Sequence, residues 1–400
     1  MPYKKILEIA DILNGFAFQS KRYVENGIRV IRIANVQDGK IVDEQPCFYP
    51  SETRNEIEKY MLKEGDLLVS LTGNVGRVGL IPGDMLPAAL NQRVCCLRLK
   101  KDNIDLKYLF LYLRRKDFVR ECIKASKGVA QLNLSTKWLE NYEIPLPSLS
   151  EQKRIVDKIE ELFSELDSAV ETLKKTKEQL SVYRQSVLKE AFEKYEALKK
   201  VPVTELVADE KYALAIGPFG SNLKVSDYTN NGVRLVFVKD IRNSFSSETT
   251  KYISEAKATE LTPHCVYQGD LLITKMGDPP GDCCIYPYAD RGVITSDCIR
   301  IKVDETKMDK MCLLLYIHSA YGKKQIKGMT QGVAQKKISL ERFKKFEVPQ
   351  IDNLEQKELV KYIQSRMSIC ENIEKTVNDA LIQATAMRQS ILKKAFEGEL

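Results

Sequence analysis

Arg184-Gln185-Ser186-Val187-Leu188-Lys189, near the middle of the chain, returns as Arg388-Gln389-Ser390-Ile391-Leu392-Lys393, a displacement of 204 residues. The same displacement relates a series of earlier strings. Gly65-Asp66-Leu67-Leu68 answers to Gly269-Asp270-Leu271-Leu272, and Gly128-Val129-Ala130-Gln131 to Gly332-Val333-Ala334-Gln335. Ile144-Pro145 answers to Val348-Pro349, Glu151-Gln152-Lys153 to Glu355-Gln356-Lys357, and Ala191-Phe192-Glu193 to Ala395-Phe396-Glu397. One such match is chance; a set in order at one offset is an internal repeat. Between anchors the offset slips, to 205 for Gly27-Ile28-Arg29-Val30 against Gly232-Val233-Arg234-Leu235, and to 202 for Arg98-Leu99-Lys100 against Arg300-Ile301-Lys302. A kept framework with loops of changing length suits two different binding surfaces on one scaffold.

Each half reads as two parts. In the first, short strand-like runs at 29–33, 66–71, 78–81 and 94–99 are followed by a helical stretch at 106–125. That pattern predicts a mixed α/β domain. Residues 142–147, Tyr-Glu-Ile-Pro-Leu-Pro, predict an extended exit strand stopped by its prolines.

Ser150 then caps a different element. A 4-3 spacing runs through Ile155, Ile159, Leu162, Leu166, Ala169, Leu173, Thr176, Leu180, Tyr183 and Val187, nine of the ten apolar or aromatic. The second half repeats this through Leu359, Ile363, Arg366, Cys370, Ile373, Val377, Ala380, Ala384, Met387 and Ile391. Neither stretch contains Pro or Gly, and heptads sustained this far predict coiled coil. A helix of about 45 residues is roughly 65 Å long, more than one small domain covers. Its simplest partner is the other half's helix. Antiparallel pairing would set the two globular domains at opposite ends of a rod. The expected division is 1–149 and 201–353 as recognition domains, with 150–200 and 354–400 as the long helices. The fold class is α+β with a two-fold internal repeat.

Composition agrees with a chain that folds around real cores: 44% of residues are hydrophobic and 29% charged. No stretch resembles a signal peptide or a membrane span. Ten scattered cysteines, without a Cys-x-x-Cys and with only His264 and His318 as histidines, read as free thiols in a reducing cytoplasm and not as a metal site. The net charge of +7 lies in the globular blocks, where residues 1–150 hold 23 basic against 18 acidic side chains and residues 201–354 hold 21 against 19. That weak bias fits a polyanion partner.

Catalytic motifs are missing. There is no Walker loop, no Gly-x-Ser-x-Gly elbow and no His-Glu-x-x-His. Asp278-Pro279-Pro280-Gly281 approaches the Asp-Pro-Pro-aromatic string of adenine methyltransferases, but Gly281 stands where the stacking ring belongs. No cofactor is expected. His264 and His318 read as core or surface residues, and Arg114-Arg115-Lys116 as a solvated helix face.

What remains is binding. Polar and basic residues gather where strands give way to loops. In the first half these are Ser20, Lys21, Arg22, Asn35, Thr72, Asn74, Arg77, Asn91, Gln92, Arg93, Lys124, Lys127 and Gln131. In the second they are Ser221, Asn222, Lys224, Lys239, Arg242, Asn243, Lys275, Lys323, Lys324, Lys327, Gln331, Gln335 and Lys336. Arg, Asn and Gln suit bidentate contact with base edges, and Lys suits phosphates.

A variable α/β block leading into Ile144-Pro145-Leu146-Pro147 and Glu151-Gln152, then a long heptad helix, all occurring twice, resembles the specificity subunit of type I restriction–modification systems. The resemblance covers the whole chain. Residues 142–153 and 346–357 are its most specific part, although the second copy has Val348-Pro349-Gln350. It implies two target-recognition domains, each reading one half of a bipartite, asymmetric site in double-stranded DNA. It further implies that the helices fix the spacer and dock two modification subunits, through which restriction subunits join. Adenine N6-methylation with S-adenosylmethionine and ATP-driven cleavage would belong to those partners. A coiled-coil adaptor for other proteins and a self-contained restriction–modification enzyme are the alternatives.

Overall fold

A computed structural model of the chain describes residues 2–100, 103–128, 131–246, 250–332 and 336–400. Contacts divide it into two compact units, Met1–Leu173 with Asn378–Leu400, and Lys174–Val377. Both cuts fall inside long helices. Each unit therefore holds one globular domain, the start or end of one long helix, and the opposite end of the other.

In the first unit, β1 (Ala10–Asn14), β2 (Leu67–Ser70), β3 (Val78–Leu80) and β4 (Val94–Leu99) form an antiparallel sheet ordered β1-β4-β2-β3. Its side chains alternate between two cores. Leu67, Val69, Cys95 and Leu97 enter one, while Leu68, Val94 and Cys96 enter the other. Burial on both faces explains why these strands read as unbroken apolar runs. A companion sheet of Phe48–Tyr49, Ile28–Ile31 and Ala88–Leu90 contains a parallel pair between the last two.

The expected helix at 106–125 is two helices, α1 (Leu106–Leu113) and α2 (Lys116–Ala125). Arg115 is extended between them, at φ −66° and ψ 142°. The break has a packing reason: Leu109, Leu113, Phe118 and Cys122 all face one core, and a five-residue step from 113 to 118 turns a continuous helix well off that face. The exit strand is shorter than expected, Glu143–Pro145, and pairs antiparallel with Tyr3–Lys5.

The long helix α3 (Leu149–Glu193) follows. Ser150 lies inside its first turn; the residue that caps is Ser148, whose Oγ accepts the Glu151 N–H at 3.3 Å. The helix stops short of 200 because Tyr195, Val201 and Val203 are drawn into the second unit's core.

That unit repeats the plan. β5 (Leu214–Ile216), β6 (Leu271–Thr274), β7 (Cys283–Ile285) and β8 (Cys298–Ile301) are ordered β5-β8-β6-β7, the same sequence of positions. The companion sheet again has one parallel pair, Val233–Val236 with Gly292–Ile294. α4 (Lys310–His318) and α5 (Ala320–Met329) cover the sheet, and α6 (Asn353–Glu397) closes the chain.

The repeated Gly-Asp string is a brace. Asp66 Oδ1 accepts from Arg98 Nε at 2.9 Å and its Oδ2 from the Lys63 N–H at 2.8 Å. Asp270 forms an ion pair with Arg300, Oδ2 to Nε 2.7 Å, and accepts the Tyr267 N–H at 2.9 Å.

Within each unit the start of one long helix lies beside the end of the other, an antiparallel arrangement. In the first, Ile155, Ile159 and Phe163 share a core with Ile391, Leu392 and Ala395, and Arg388 pairs with Asp167. In the second, Leu188 shares a core with Leu359 and Ile363, and Arg184 pairs with Glu374 at 2.7 Å. Leu180 and Val377 are buried, whereas Leu162, Leu166 and Leu173 are half-buried. Ile373 and Met387 differ from the heptad expectation, being 41% and 53% exposed. The buried column on α6 is Ile363, Cys370, Val377, Ala384 and Ile391, one residue in seven. A single partner helix covers that one column and leaves the alternate one on the flank.

Candidate nucleic-acid interface

One end of the first sheet gathers four loops, and backbone hydrogen bonds stitch them together. The Leu71 N–H donates to Arg93 O at 3.0 Å, Gln92 N–H to Phe16 O at 2.9 Å, and Gly39 N–H to Val78 O at 2.9 Å. Gly73 N–H donates to Leu132 O at 2.8 Å and Leu134 N–H to Leu71 O at 2.7 Å. Asn74, Arg77, Asn91, Gln92, Arg93, Lys127 and Gln131 are brought together here. Arg77 Nη1 donates to Gln37 Oε1 at 2.8 Å, while Asn74, Gln92, Arg93, Lys127 and Gln131 are exposed. The turn depends on Gly76, whose φ is +78° and where a Cβ would lie 2.9 Å from Cys122 Sγ.

The second unit builds the same end. Lys275 N–H donates to Asp297 O at 2.7 Å, Ile338 N–H to Lys275 O at 2.9 Å, and Gly277 N–H to Lys336 O at 3.2 Å. Arg242 Nε donates to Asp282 Oδ2 at 2.7 Å, and Lys336 Nζ to Asp278 Oδ1 at 2.6 Å. Lys275 Nζ reaches Ser296 O at 3.2 Å. Arg242, Lys275 and Lys336 are thereby joined, and the Gln331 N–H donates to Lys337 O at 2.9 Å beside them, with Lys239 and Asn243 exposed on the same short helix as Arg242 or just beyond it. The Asp278-Pro279-Pro280-Gly281 string is simply part of this hairpin turn. Gln335 lies outside the described residues, as do Val129, Ala130, Val333 and Ala334 of the repeated string.

Other candidates stand apart from these ends. Ser20, Lys21 and Arg22 form an exposed turn on the companion sheet, where Arg22 stacks 4.9 Å from the Tyr49 ring centre and 3.6 Å from Glu56. Ser221, Asn222 and Lys224 are exposed before the companion sheet of the second unit. Lys124 is in the last turn of α2, and Lys323, Lys324 and Lys327 lie on α5. Lys323 Nζ is held by Gln185 Oε1 at 3.0 Å.

Two candidates differ from the expected exposed loop residues in being buried. Asn35 is 2% exposed; its Oδ1 accepts the Arg32 N–H and its Nδ2 donates to Val42 O, both at 2.9 Å. Thr72 is buried and its hydroxyl donates to Asn133 Oδ1 at 3.0 Å. Asn35 holds the backbone of its own loop, and Thr72 holds the side chain of Asn133 on a neighbouring one. Arg114 and Arg115 are corrected too. Arg115 stacks 3.6 Å from the Tyr112 ring centre, and Arg114 lies over Phe110 and Phe163, where burial lowers its affinity for the proton.

The residues that sequence reasoning left without a role are glutamines. Gln152 is fully buried; its Oε1 accepts the Asp105 N–H at 2.8 Å, and its Nε2 donates to Asn103 O and Pro147 O at 3.1 and 2.9 Å. Gln356 does the same to Asp309 N–H at 2.6 Å, Lys307 O at 3.2 Å and Ile351 O at 2.8 Å. Each locks the start of a long helix to the cap of α1 or α4. At the far end of each helix Phe396 packs on Tyr108 and Tyr112, with ring centres 5.3 and 5.0 Å apart, and Phe192 packs on Tyr316 at 5.3 Å. Their recurrence at the repeat offset was the available signal.

Among the described residues no group of three or more His, Cys, Asp and Glu could hold a metal ion, and no helix is long and apolar enough to cross a membrane. Nine of the ten free cysteines are buried, and burial pushes the Cys95 thiol up to about 12.

Residues 1–181 and 224–383 match the family model described as the type I restriction modification DNA specificity domain, and the chain belongs to that family. It is similar to the specificity subunit of the type I restriction enzyme EcoBI of Escherichia coli, at 27% identity over 98% of this chain and 84% of that protein. Among solved structures, a chain from a study of complex assembly and conformational transition of the type I R-M system aligns with a TM-score of 0.71, covering 100% of this chain and 98% of the other at 19% identity. The HsdS subunit from Thermoanaerobacter tengcongensis aligns with a TM-score of 0.54, covering 100% and 97%, also at 19% identity. These two likenesses are likenesses of fold.

Proposed function

We propose that this chain supplies DNA sequence specificity to a type I restriction–modification complex, binding double-stranded DNA and assembling with modification and restriction subunits. Each globular domain reads one half of a bipartite, asymmetric site through the loop end of its four-stranded sheet. The paired long helices hold the gap between half-sites and dock two modification subunits. Methyl transfer and cleavage belong to the partners.

The observation that supports this best is the duplicated loop end with different side chains on it. The first carries Asn74, Arg77, Gln92 and Arg93, and the second Arg242, Lys275, Asp282 and Lys336. Arg, Asn and Gln match the donor and acceptor patterns of base edges in the major groove, while Lys matches phosphate. One module gains about 1–3 kcal/mol of discrimination per base pair, too little against a genome. Two modules in one chain make the second encounter effectively intramolecular. Because they differ, the site need not be a palindrome, as it must for a symmetric dimer.

Selection of duplexes from a randomised pool by the full chain, followed by gel shifts at rising salt, tests the reading. The expected result is a site of two fixed halves with a constant gap, and affinity that falls steeply with salt. Indifference to DNA would favour an adaptor for other proteins. Methyl transfer by the lone chain from S-adenosylmethionine would favour a self-contained enzyme.

A further inference from the structure

We infer that Asp278 and Asp282 set the specificity of the second domain, accepting hydrogen bonds from an exocyclic amino group of cytosine or adenine in the major groove. This rests on the reading of the sheet ends as DNA-binding surfaces.

Charge is reversed between the two halves at one position of the loop end. In the first domain Ser70 Oγ accepts the Arg77 N–H at 3.0 Å, and Gly76 N–H donates to Ser70 O at 2.9 Å. In the second, Thr274 Oγ1 accepts the Asp282 N–H at 2.9 Å, and Gly281 N–H donates to Thr274 O at 2.9 Å. The hydrogen bonds make Arg77 and Asp282 the same position of one hairpin. Where the first domain presents a guanidinium, the second presents a carboxylate, and Asp278 adds another four residues earlier.

Carboxylates on a surface that meets a polyanion are unfavourable unless a donor meets them. In the free chain Arg242 and Lys336 are those donors, at 2.7 and 2.6 Å. Both ion pairs are largely solvated, with side chains 40% exposed or more, so exchanging their partners costs little. The major groove offers replacement donors only at cytosine N4 and adenine N6. At such a base the carboxylates turn to the amino group, and Arg242 and Lys336 move to flanking phosphates. Every charge keeps a partner. On other sequences the carboxylates stay beside the cations and offset their charge, so phosphate attraction stays weak. The two aspartates thus suppress non-specific binding as well as read a base.

The test uses the full chain with Asp278→Asn, Asp282→Asn and the charge-keeping Asp282→Glu. Two quantities are read: the half-sites selected from a randomised duplex pool, and the salt dependence of binding to a fixed duplex of arbitrary sequence. Each Asn variant should bind the arbitrary duplex about tenfold more tightly at low salt, with a slope steeper by about one for each freed cation. Each should also change the base preferred at one position of one half-site, because the amide keeps one acceptor and replaces the other with a donor. The Glu variant should keep weak binding to the arbitrary duplex. Thermal melting of each variant checks the fold, and Asp278, being exposed, can be changed without disturbing a core. If both Asn variants melt like the wild type and select the same half-sites with the same slope, the inference is overturned and the DNA-binding reading stands. If the wild-type chain selects no sequence, both fall.

Discussion

Gln152 Oε1 accepts the backbone N–H of Asp105 at 2.8 Å, tying the first turn of α3 to the cap of α1. No water reaches this amide, and its Nε2 serves two further carbonyls. Gln152→Ala should therefore leave three part-buried backbone groups, Asp105 N–H, Asn103 O and Pro147 O, without this partner. The expected loss is about 3 kcal/mol of stability, read as a lower denaturant midpoint for the first unit. Gln356→Ala should do the same to the second. An unchanged midpoint would mean that the helix start is held by packing alone.

His318 gives a pH dependence with a definite sign. Burial first, then the neighbouring Lys323, holds its imidazole below the usual histidine range, while the Cys283 backbone and Asp282 act weakly the other way. The folded state therefore prefers the neutral ring. Its contribution is complete above the ordinary histidine pKa and is lost as pH falls through the lower folded value. Urea midpoints at pH 7.5 and 5.5 should show the second unit weakening on acidification, and His318→Leu should remove part of that difference.

Asn35 and Arg93 should separate structure from recognition. Arg93→Ala should relax the preference at one position of the first half-site and weaken binding by about 1–3 kcal/mol, leaving the melting temperature alone. Asn35→Ala should do the reverse, lowering stability by about 1–3 kcal/mol through its unpaired backbone partners with the half-sites unchanged.

Removing one heptad from each long helix, residues 170–176 and 375–381, tests the spacer. Seven residues are about 10.5 Å of helix, or roughly three base pairs at about 3.4 Å each. The selected gap should change by that amount while both half-sites persist. Altered half-sites with an unchanged gap would contradict the spacer role.

Much of the fold was legible because the repeat supplies two readings of each element. The buried strands at 67–70 and 94–99 and the heptad stretches are local patterns, and local patterns survive in a sequence. What failed were side chains whose partners are distant or whose chemistry is shared. An amide looks alike whether it reads a base or, as in Asn35, spans its own turn. Gln152 was visible as part of a repeated string, but its partners Asn103 and Asp105 lie almost fifty residues back. Met387 and Ile373 fit the heptad count, yet the number of neighbouring helices decides which column is covered. The pairing of Phe396 with Tyr108 joins the last helix to the first domain across most of the sequence, which periodicity does not reach.

The braces Asp66–Arg98 and Asp270–Arg300, the glutamine locks and the aromatic sockets form one frame used twice, and none of them lies among the exposed loop-end side chains. That separation has an evolutionary consequence. Genes recombining within the shared strings would exchange an entire loop set while every lock still met its partner. A lineage could then acquire a new target in one crossover, without passing through a series of weakened point variants.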